Sequence, residues 1–505
     1  MAQAKRRIVV VGAGPGGLTA AMILAHRGFA VTVVERKSRV GGRNARLDLG
    51  PYKFDTGPTF LMMKQILDQC FAEAGADSGQ LLEFTRLDPM YRLQFAKFAL
   101  HATQDIERLK SEVACHFPGR EAGVGRFMNY EKRRFEHMLP CLQKHYSTLG
   151  SLFSRNLLAV LPYLSLGRKV FDVLKGYFGE DELAISFSFQ SKYLGMSPWE
   201  CPGYFAMLAY IEYAFGVYHV TGGLSEISEK MAEQAVRNGA EIRLDTEVEQ
   251  ILLQGRRAVG VRLLGGEEIK CDDIVLNADF GDAMSRLIPP GVLRKYRPEK
   301  LAKKRFSCST FMLYLGIDKE LDLPHHTIYF ADDYRRNVED IFSHRGLSRD
   351  TSFYVRNATA TDRSLAPAGH SAVYILVPVG NLRSPVDWAG ETAGFRDLVV
   401  RRWCEKAGLG DLEPHIREEK ILTPEDWRDD YRVYCGATFN LAHTTRQMVY
   451  LRPRNRFEEL RRCYLVGGGT HPGSGLPTIY ESGRIAANLL SRFHGVPFTS
   501  GNLNC

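Results

Sequence analysis

The sequence predicts an α/β fold in which a Rossmann-like nucleotide-binding domain is interleaved with an α+β domain. Three observations predict it. Residues 7–35 form a strand, a glycine turn, a helix and a second strand; residues 220–279 give a helix followed by several strands; residues 463–490 give a strand, two glycine turns and a helix. A chain of 505 residues exceeds one ordinary core, so more than one domain is expected. Because the nucleotide-type stretches are far apart, the domains are expected to alternate. Residues 1–85, 220–290 and 457–498 go to the nucleotide-binding domain, and 86–219 and 291–456 to the other.

The first stretch, RIVVVGAGPGGLTAAMILAHRGFAVTVVE, carries its chemistry in order. Ile8 to Val11 is a β-branched apolar run that meets Gly12, Gly14, Gly16 and Gly17. Gly12 permits a tight turn, Gly14 lets backbone approach a pyrophosphate, and Gly17 lets helix and strand pack closely. The helix start offers free N–H groups and a positive dipole end to phosphate. Glu35 closes the second strand 23 residues past Gly12, where a carboxylate can accept ribose hydroxyls. Residues 47–61 are turn-rich, with Gly50-Pro51 and Gly57-Pro58 around Phe54-Asp55-Thr56, and suggest backbone lying against something flat.

Beyond residue 86 the pattern changes. Residues 91–100 alternate like a strand, 105–115 read as an amphipathic helix, and 119–146 are helical and charged. Residues 155–178 are apolar, with Arg155, Arg168, Lys169 and Lys175 spaced through them and Pro162 as a kink. They read either as core helices or as a basic amphipathic surface that dips into a bilayer. Residues 186–207 are rich in aromatics without a clean period, as in the lining of an apolar cavity. The return begins with Val220-Thr221-Gly222-Gly223-Leu224, a helix to residue 238, strand-like runs, and the 273–279 segment that rejoins the parallel sheet. Later strands are expected at 308–317, 352–357 and 371–378, with a helix at 395–407. The run 294–305 is basic and is a second candidate for attraction to anionic lipid.

Composition excludes several classes. Hydrophobic content of 45% and charged content of 25% fit a folded protein rather than a disordered one. The net charge of +8 comes from 66 basic and 58 acidic residues, a near balance that does not suggest a nucleic-acid partner. Ten scattered cysteines without a CxxC pair read as reduced thiols. The apolar run after Arg7 is too short for a secretion signal and is expected to be the first strand. The longest strongly apolar stretch, 204–218, contains Glu212 and falls short of the roughly 20 residues of a membrane span, so membrane contact is expected to be peripheral. HExxH, GxSxG and GxxxxGK[ST] are absent, and no metal site is expected.

The fingerprint, the Gly41-Gly42-Arg43 turn, FDTGPT (54–59) and GGGTHPGSGLPTIYESGRIAA (467–487) together resemble the bacterial phytoene desaturase family of carotenoid desaturases, within the flavin amine-oxidase-like superfamily. The middle blocks NADFGDAM (277–284) and YCGATFNLAHTTRQMVYLRPRNRF (434–457) extend the resemblance over essentially the whole chain. It implies non-covalently bound FAD, a linear carotene or other polyisoprenoid substrate, and a cytoplasmic protein lying on the inner face of the cell membrane. Carried over, Gly12, Gly14, Gly16 and Gly17 would hold the pyrophosphate and Glu35 the adenosine ribose. Gly42 and Arg43 would run along the flavin side, with Gly57, Pro58 and Thr59 near the ring. Gly468, Gly469, Thr470, Gly475, Leu476 and Pro477 would close over the ribityl chain and ring, and Val248 completes the cofactor set. Many flavoproteins end the late strand in an acid, whereas Gly468-Gly469-Thr470 stands here.

Desaturation of an allylic CH–CH pair needs a hydride acceptor, loss of a proton, and a dry enclosure. With one dinucleotide fingerprint, the reduced flavin would be re-oxidised from outside by a quinone or oxygen. His471 and Asp55 are the candidates for the proton acceptor, each with an equally good structural role. Alternatives on the same fold are a C30 diapophytoene or squalene desaturase, a terminal-methyl oxidase, a retinol-saturase-like reductase and a non-enzymatic prenyl-lipid carrier. An amine oxidase is a third class.

Overall fold

The computed structural model describes residues 5–499. Five parallel strands run in the order Cys463–Leu465, Asp273–Leu276, Arg7–Val11, Ala30–Val34, Glu241–Arg243. Three far-separated stretches of chain thus build one sheet. The valine run of the first strand has no polar face because both its faces are covered, as parallel sheets require. Ile8 and Val10 pack with the helices Pro15–His26, Ser225–Arg237 and Leu476–Phe493. Val9 and Val11 pack instead with Ile251, Val261 and Leu263 of the antiparallel meander Val248–Gln254, Arg257–Leu263, Glu268–Lys270. Burying each such valine is worth about 1.5–3 kcal/mol.

The helix Pro15–His26 is buried on every side from Gly16 to Ala25, which explains its small residues. A side chain at Gly17 would place its Cβ 2.3 Å from the Gly12 carbonyl oxygen, and one at Gly483 would come 2.4 Å from that of Gly16. Both glycines are therefore fixed by backbone-to-backbone packing of the first and last helices around the turn.

A second sheet, mixed and seven-stranded, runs in the order Ile416–Leu422, Ser309–Ile317, Ser371–Val379, Phe353–Asn357, His326–Tyr329, Tyr91–Gln94, Ala99–Ala102. It is antiparallel except where His326–Tyr329 meets Tyr91–Gln94. Phe311, Leu313 and Leu315 point to one face, against Phe395, Val399 and Trp403 of the helix Trp388–Ala407. The alternate residues, Thr310 and Met312, point the other way and line a cavity.

Several elements differ from the sequence reading. Residues 91–100 are not one strand but part of a hairpin that turns at Phe95–Phe98, whose rings stack at 4.5 Å. Ile416–Leu422 gives no strand signal in the sequence because it is an edge strand carrying Arg417, Glu418, Glu419 and Lys420. Residues 155–178 divide: Val170, Val173, Leu174 and Phe178 are core, whereas Leu158, Leu161 and Leu166 are exposed, next to Phe153 just before the stretch, which is 77% exposed. Among the described residues, no helix is long and apolar enough to cross a membrane.

Candidate active site

A cleft of about 1170 Å³ lies beyond the carboxyl ends of three neighbouring strands of the parallel sheet. Each strand contributes the residues that follow it: Gly12 and Gly14, then Asn277 to Asp279, then Gly467 to Gly469. Open α/β sheets bind ligands at this place because the loops diverge there and helix N-termini converge. The helix Pro15–His26 starts at Gly14 with no side chain capping it, so its first N–H groups are free to face an anion. Glu35 lines the cleft while its carboxylate accepts the Ala13 and Lys37 N–H groups at 2.8 and 3.0 Å.

Of the residues singled out in the sequence, Gly12, Gly14, Glu35, Gly42, Arg43, Pro58, Val248, Gly468, Gly469 and Leu476 line this cleft. Gly57, Pro58, Thr59, Gly468, Gly475, Leu476 and Pro477 line a second, adjoining cavity. Gly16 and Gly17 line neither and serve the packing under the turn. Thr470 lies beneath the cleft, donating from Oγ1 to the Pro453 carbonyl at 2.6 Å.

The second cavity, about 1530 Å³, is apolar. Its walls come from the sheet face (Met312, Tyr354, Tyr374, Leu376) and from Phe60, Phe189 and Phe439. Arg43, Pro58, Gly468, Leu476 and Ile479 line both spaces, so the polar cleft and the apolar cavity adjoin at that junction.

Residues the sequence reading did not single out join Arg43 in holding the junction in shape. Asn277 donates from Nδ2 to the Gly12 carbonyl at 3.1 Å. Asp279 accepts from Gly281 and Tyr434 N–H and, at 2.6 Å, from Asn440 Nδ2; burial pushes its carboxyl up, against the pull of Arg43. Arg43 donates to the Thr438 carbonyl at 2.6 Å. Arg452 is fully buried and donates to the carbonyls of Thr470, Gly468, Gln447 and Leu441, tying the 441–452 loop to the last glycine turn. Burial pushes its guanidinium down to about 9, still charged at neutral pH. His443 Nε2 accepts the Ser474 N–H at 3.0 Å, and burial keeps this imidazole neutral. Asn277 and Asp279 could have been found from the rule that ligands sit beyond strand ends; Arg452 and His443 lie on irregular loops and give no local signal.

The structure does not bring His471 or Asp55 into either space. His471 is buried against the edge of Tyr146, and burial pushes it down to about 3. Asp55 is buried in an ion pair with Arg356 at 2.6 Å and accepts the N–H groups of Leu224 and Ser225, pinning the start of the returning helix.

The chain matches the family model described as flavin containing amine oxidoreductase over residues 15–491. It therefore belongs to that family of FAD-dependent oxidoreductases. Within the family it sits among the carotenoid desaturases. It is 49% identical over 493 residues to a 4,4'-diapophytoene desaturase (4,4'-diapolycopene-forming) from Methylomonas sp, covering 98% of this chain and 96% of that one. It is 40% identical to an all-trans-zeta-carotene desaturase from Myxococcus xanthus, covering 97% and 94%. An oxidoreductase of known structure from Methanosarcina mazei shares the fold at a TM-score of 0.62 and 17% identity, covering 95% and 99%.

Proposed function

We propose that the enzyme desaturates phytoene or a related linear polyisoprene, which lies in the apolar cavity with a CH–CH pair at the junction. The observation that carries this reading is the junction itself, where a cleft with a dinucleotide fingerprint adjoins a large apolar cavity across Arg43, Pro58, Gly468, Leu476 and Ile479. The cleft fits FAD on its own chemistry: an uncapped helix start for the pyrophosphate, and a Gly14 cradle that a Cβ would fill at 2.9 Å from Asn277 Nδ2. Glu35 offers a carboxylate for the ribose, and the glycine turn at 467–469 runs along the far side. When bound, FAD supplies the hydride acceptor. The chain's own residues exclude water, align the substrate along aromatic walls, and surround it with ring faces that favour positive charge on carbon.

A C30 substrate is favoured by the higher identity to the diapophytoene enzyme than to the zeta-carotene enzyme. The exposed Phe153, Leu158, Leu161 and Leu166, beside Arg155, Arg168 and Lys169, suit a surface that inserts shallowly into an anionic membrane, as on the inner face of the cell membrane. Substrate would enter from there, and the reduced cofactor would be re-oxidised by a membrane quinone or by oxygen. Expression in cells supplied with either phytoene or diapophytoene tests the reading. Coloured polyene extracted from one of them supports it, and colourless extracts from both, with FAD-loaded protein present, would sink it. Replacing Leu158 and Leu161 with Asp should move the protein from the membrane to the supernatant in a vesicle co-sedimentation assay.

A further inference from the structure

Desaturation releases a proton as well as a hydride, and the two acids and bases singled out by the sequence, His471 and Asp55, do not reach the cavity. The cavity wall next to the junction holds a different pair. Tyr354 lines the cavity, and its hydroxyl lies 2.7 Å from His326 Nδ1 and 2.8 Å from Thr59 Oγ1. Thr59 follows Pro58, which lines both spaces, so this hydroxyl stands at the cofactor side of the cavity. His326 is fully buried, and its Nε2 has no hydrogen-bond partner among the described residues.

We infer that Tyr354 and His326 are the proton relay of the desaturation, Tyr354 touching the substrate and His326 acting through it. This inference rests on the desaturase reading. The proton of the C–H bond passes to Tyr354 Oη as the phenolic proton passes to His326 Nδ1. The electron pair of that C–H bond becomes the π pair of the new C=C, and bound FAD would supply the acceptor for the hydride, which departs with its own pair. Tyr354 ends as a neutral phenol and His326 as an imidazolium.

The surroundings hold His326 neutral before the reaction and offer the imidazolium one ring face. Its ring stacks on Phe60 at 4.2 Å with the planes 16° apart, so a ring face receives the imidazolium. Before the reaction the ring is neutral, because burial and the nearby Arg356 and His219 hold it well below the ordinary histidine range. A neutral ring has one bare nitrogen, and the hydroxyl beside Nδ1 can donate to it. Neighbouring histidines are committed elsewhere. His325 Nε2 accepts from Arg356 Nε at 3.3 Å, leaving Nδ1–H for Thr361 Oγ1 at 2.7 Å. His219 Nδ1 accepts from Arg356 Nη2 and its Nε2 faces Asp362, both at 3.2 Å. His326 is thus the member of this cluster that Tyr354 can use.

The test is anaerobic reduction of the FAD-loaded enzyme by its precursor in liposomes, for the wild type, Tyr354→Phe, His326→Gln and the double variant. Each single variant should reduce the flavin about tenfold more slowly, with flavin content and melting temperature unchanged. The double variant should be no slower than the slower single one, because the residues act in series. Wild-type reduction should slow about twofold in D2O, and Tyr354→Phe should lose that effect, which a merely structural role would not produce. Independently of turnover, ¹⁵N-histidine spectra of the resting holoenzyme should show the His326 Nδ1 signal move in Tyr354→Phe. Wild-type rates in both variants, no solvent isotope effect, or an unmoved Nδ1 signal would each overturn the relay while leaving the desaturase reading intact. Failure of the precursor to reduce the wild-type flavin would overturn both.

Discussion

The polar cleft and the apolar cavity share five lining residues and are built in opposite ways. The cleft is made of backbone at strand ends: glycines from the two ends of the chain, and Asn277 to Asp279 between them. The cavity is made of side chains from the middle of the chain, spread over a sheet face and the segments against it. A cofactor held by backbone tolerates no added side chain. A hydrocarbon held by apolar walls tolerates many changes of shape but no unpaired polar group. The difference predicts which substitutions are lethal to the cofactor and which only tune the substrate.

The largest effect is expected in the cleft. Gly14→Val puts a branched side chain into the cradle beside Asn277, and the purified protein should carry no FAD by its visible absorbance. Folded protein that keeps a full complement of flavin would break the comparison at its root. Next is Arg452→Met. It removes one guanidinium that donates to four buried carbonyls, two on the 441–452 loop and two on the last glycine turn. Denaturant unfolding should show a loss of about 3 kcal/mol or more, and Arg452→Lys should recover little, because an ammonium cannot reproduce the fork.

The cavity wall makes a smaller, pH-dependent prediction. Behind Tyr193 and Phe189, which line the cavity, Glu212 is fully buried and accepts from Tyr91 and Gln190 at 2.9 and 2.7 Å. Burial pushes its carboxyl up to about 7. A raised carboxyl favours the folded state while it stays protonated. That contribution is complete below the ordinary carboxylate range and is lost as pH rises through about 7. Glu212→Gln mimics the neutral form, so it should match the wild type near pH 4 and exceed it by about 3 kcal/mol above pH 8. Equal stability at both pH values would mean that water reaches this wall. The smallest effect is on the substrate: Leu376→Trp fills part of the cavity and should lower kcat/KM for the precursor about tenfold, with flavin content unchanged.

The same contrast explains what could be read from the chain. The parallel sheet and its cleft were legible because glycine spacing, strand runs and Glu35 are local signals. The resemblance of FDTGPT and the 467–487 block pointed to the residues that line the junction. Away from the junction the cavity was legible as the aromatic-rich stretch 186–207, of which Phe189, Lys192 and Tyr193 line it. Tyr354, Met312 and Leu376 come from strands that pair far from that stretch. Arg452 and His326 act through tertiary contacts that no spacing announces. His325-His326 reads as an adjacent pair in sequence. Where the strand His326–Tyr329 begins, the pair becomes two histidines with separate partners, His325 just before the strand and His326 its first residue.

The most direct measurement is the oxidised-flavin absorbance of the purified enzyme after anaerobic mixing with diapophytoene or phytoene in liposomes. If the cavity presents the polyene to the cofactor at the junction, the absorbance falls as coloured polyene appears, in equal molar amounts per double bond. If precursor binds while the flavin stays oxidised, cleft and cavity do not form one active site.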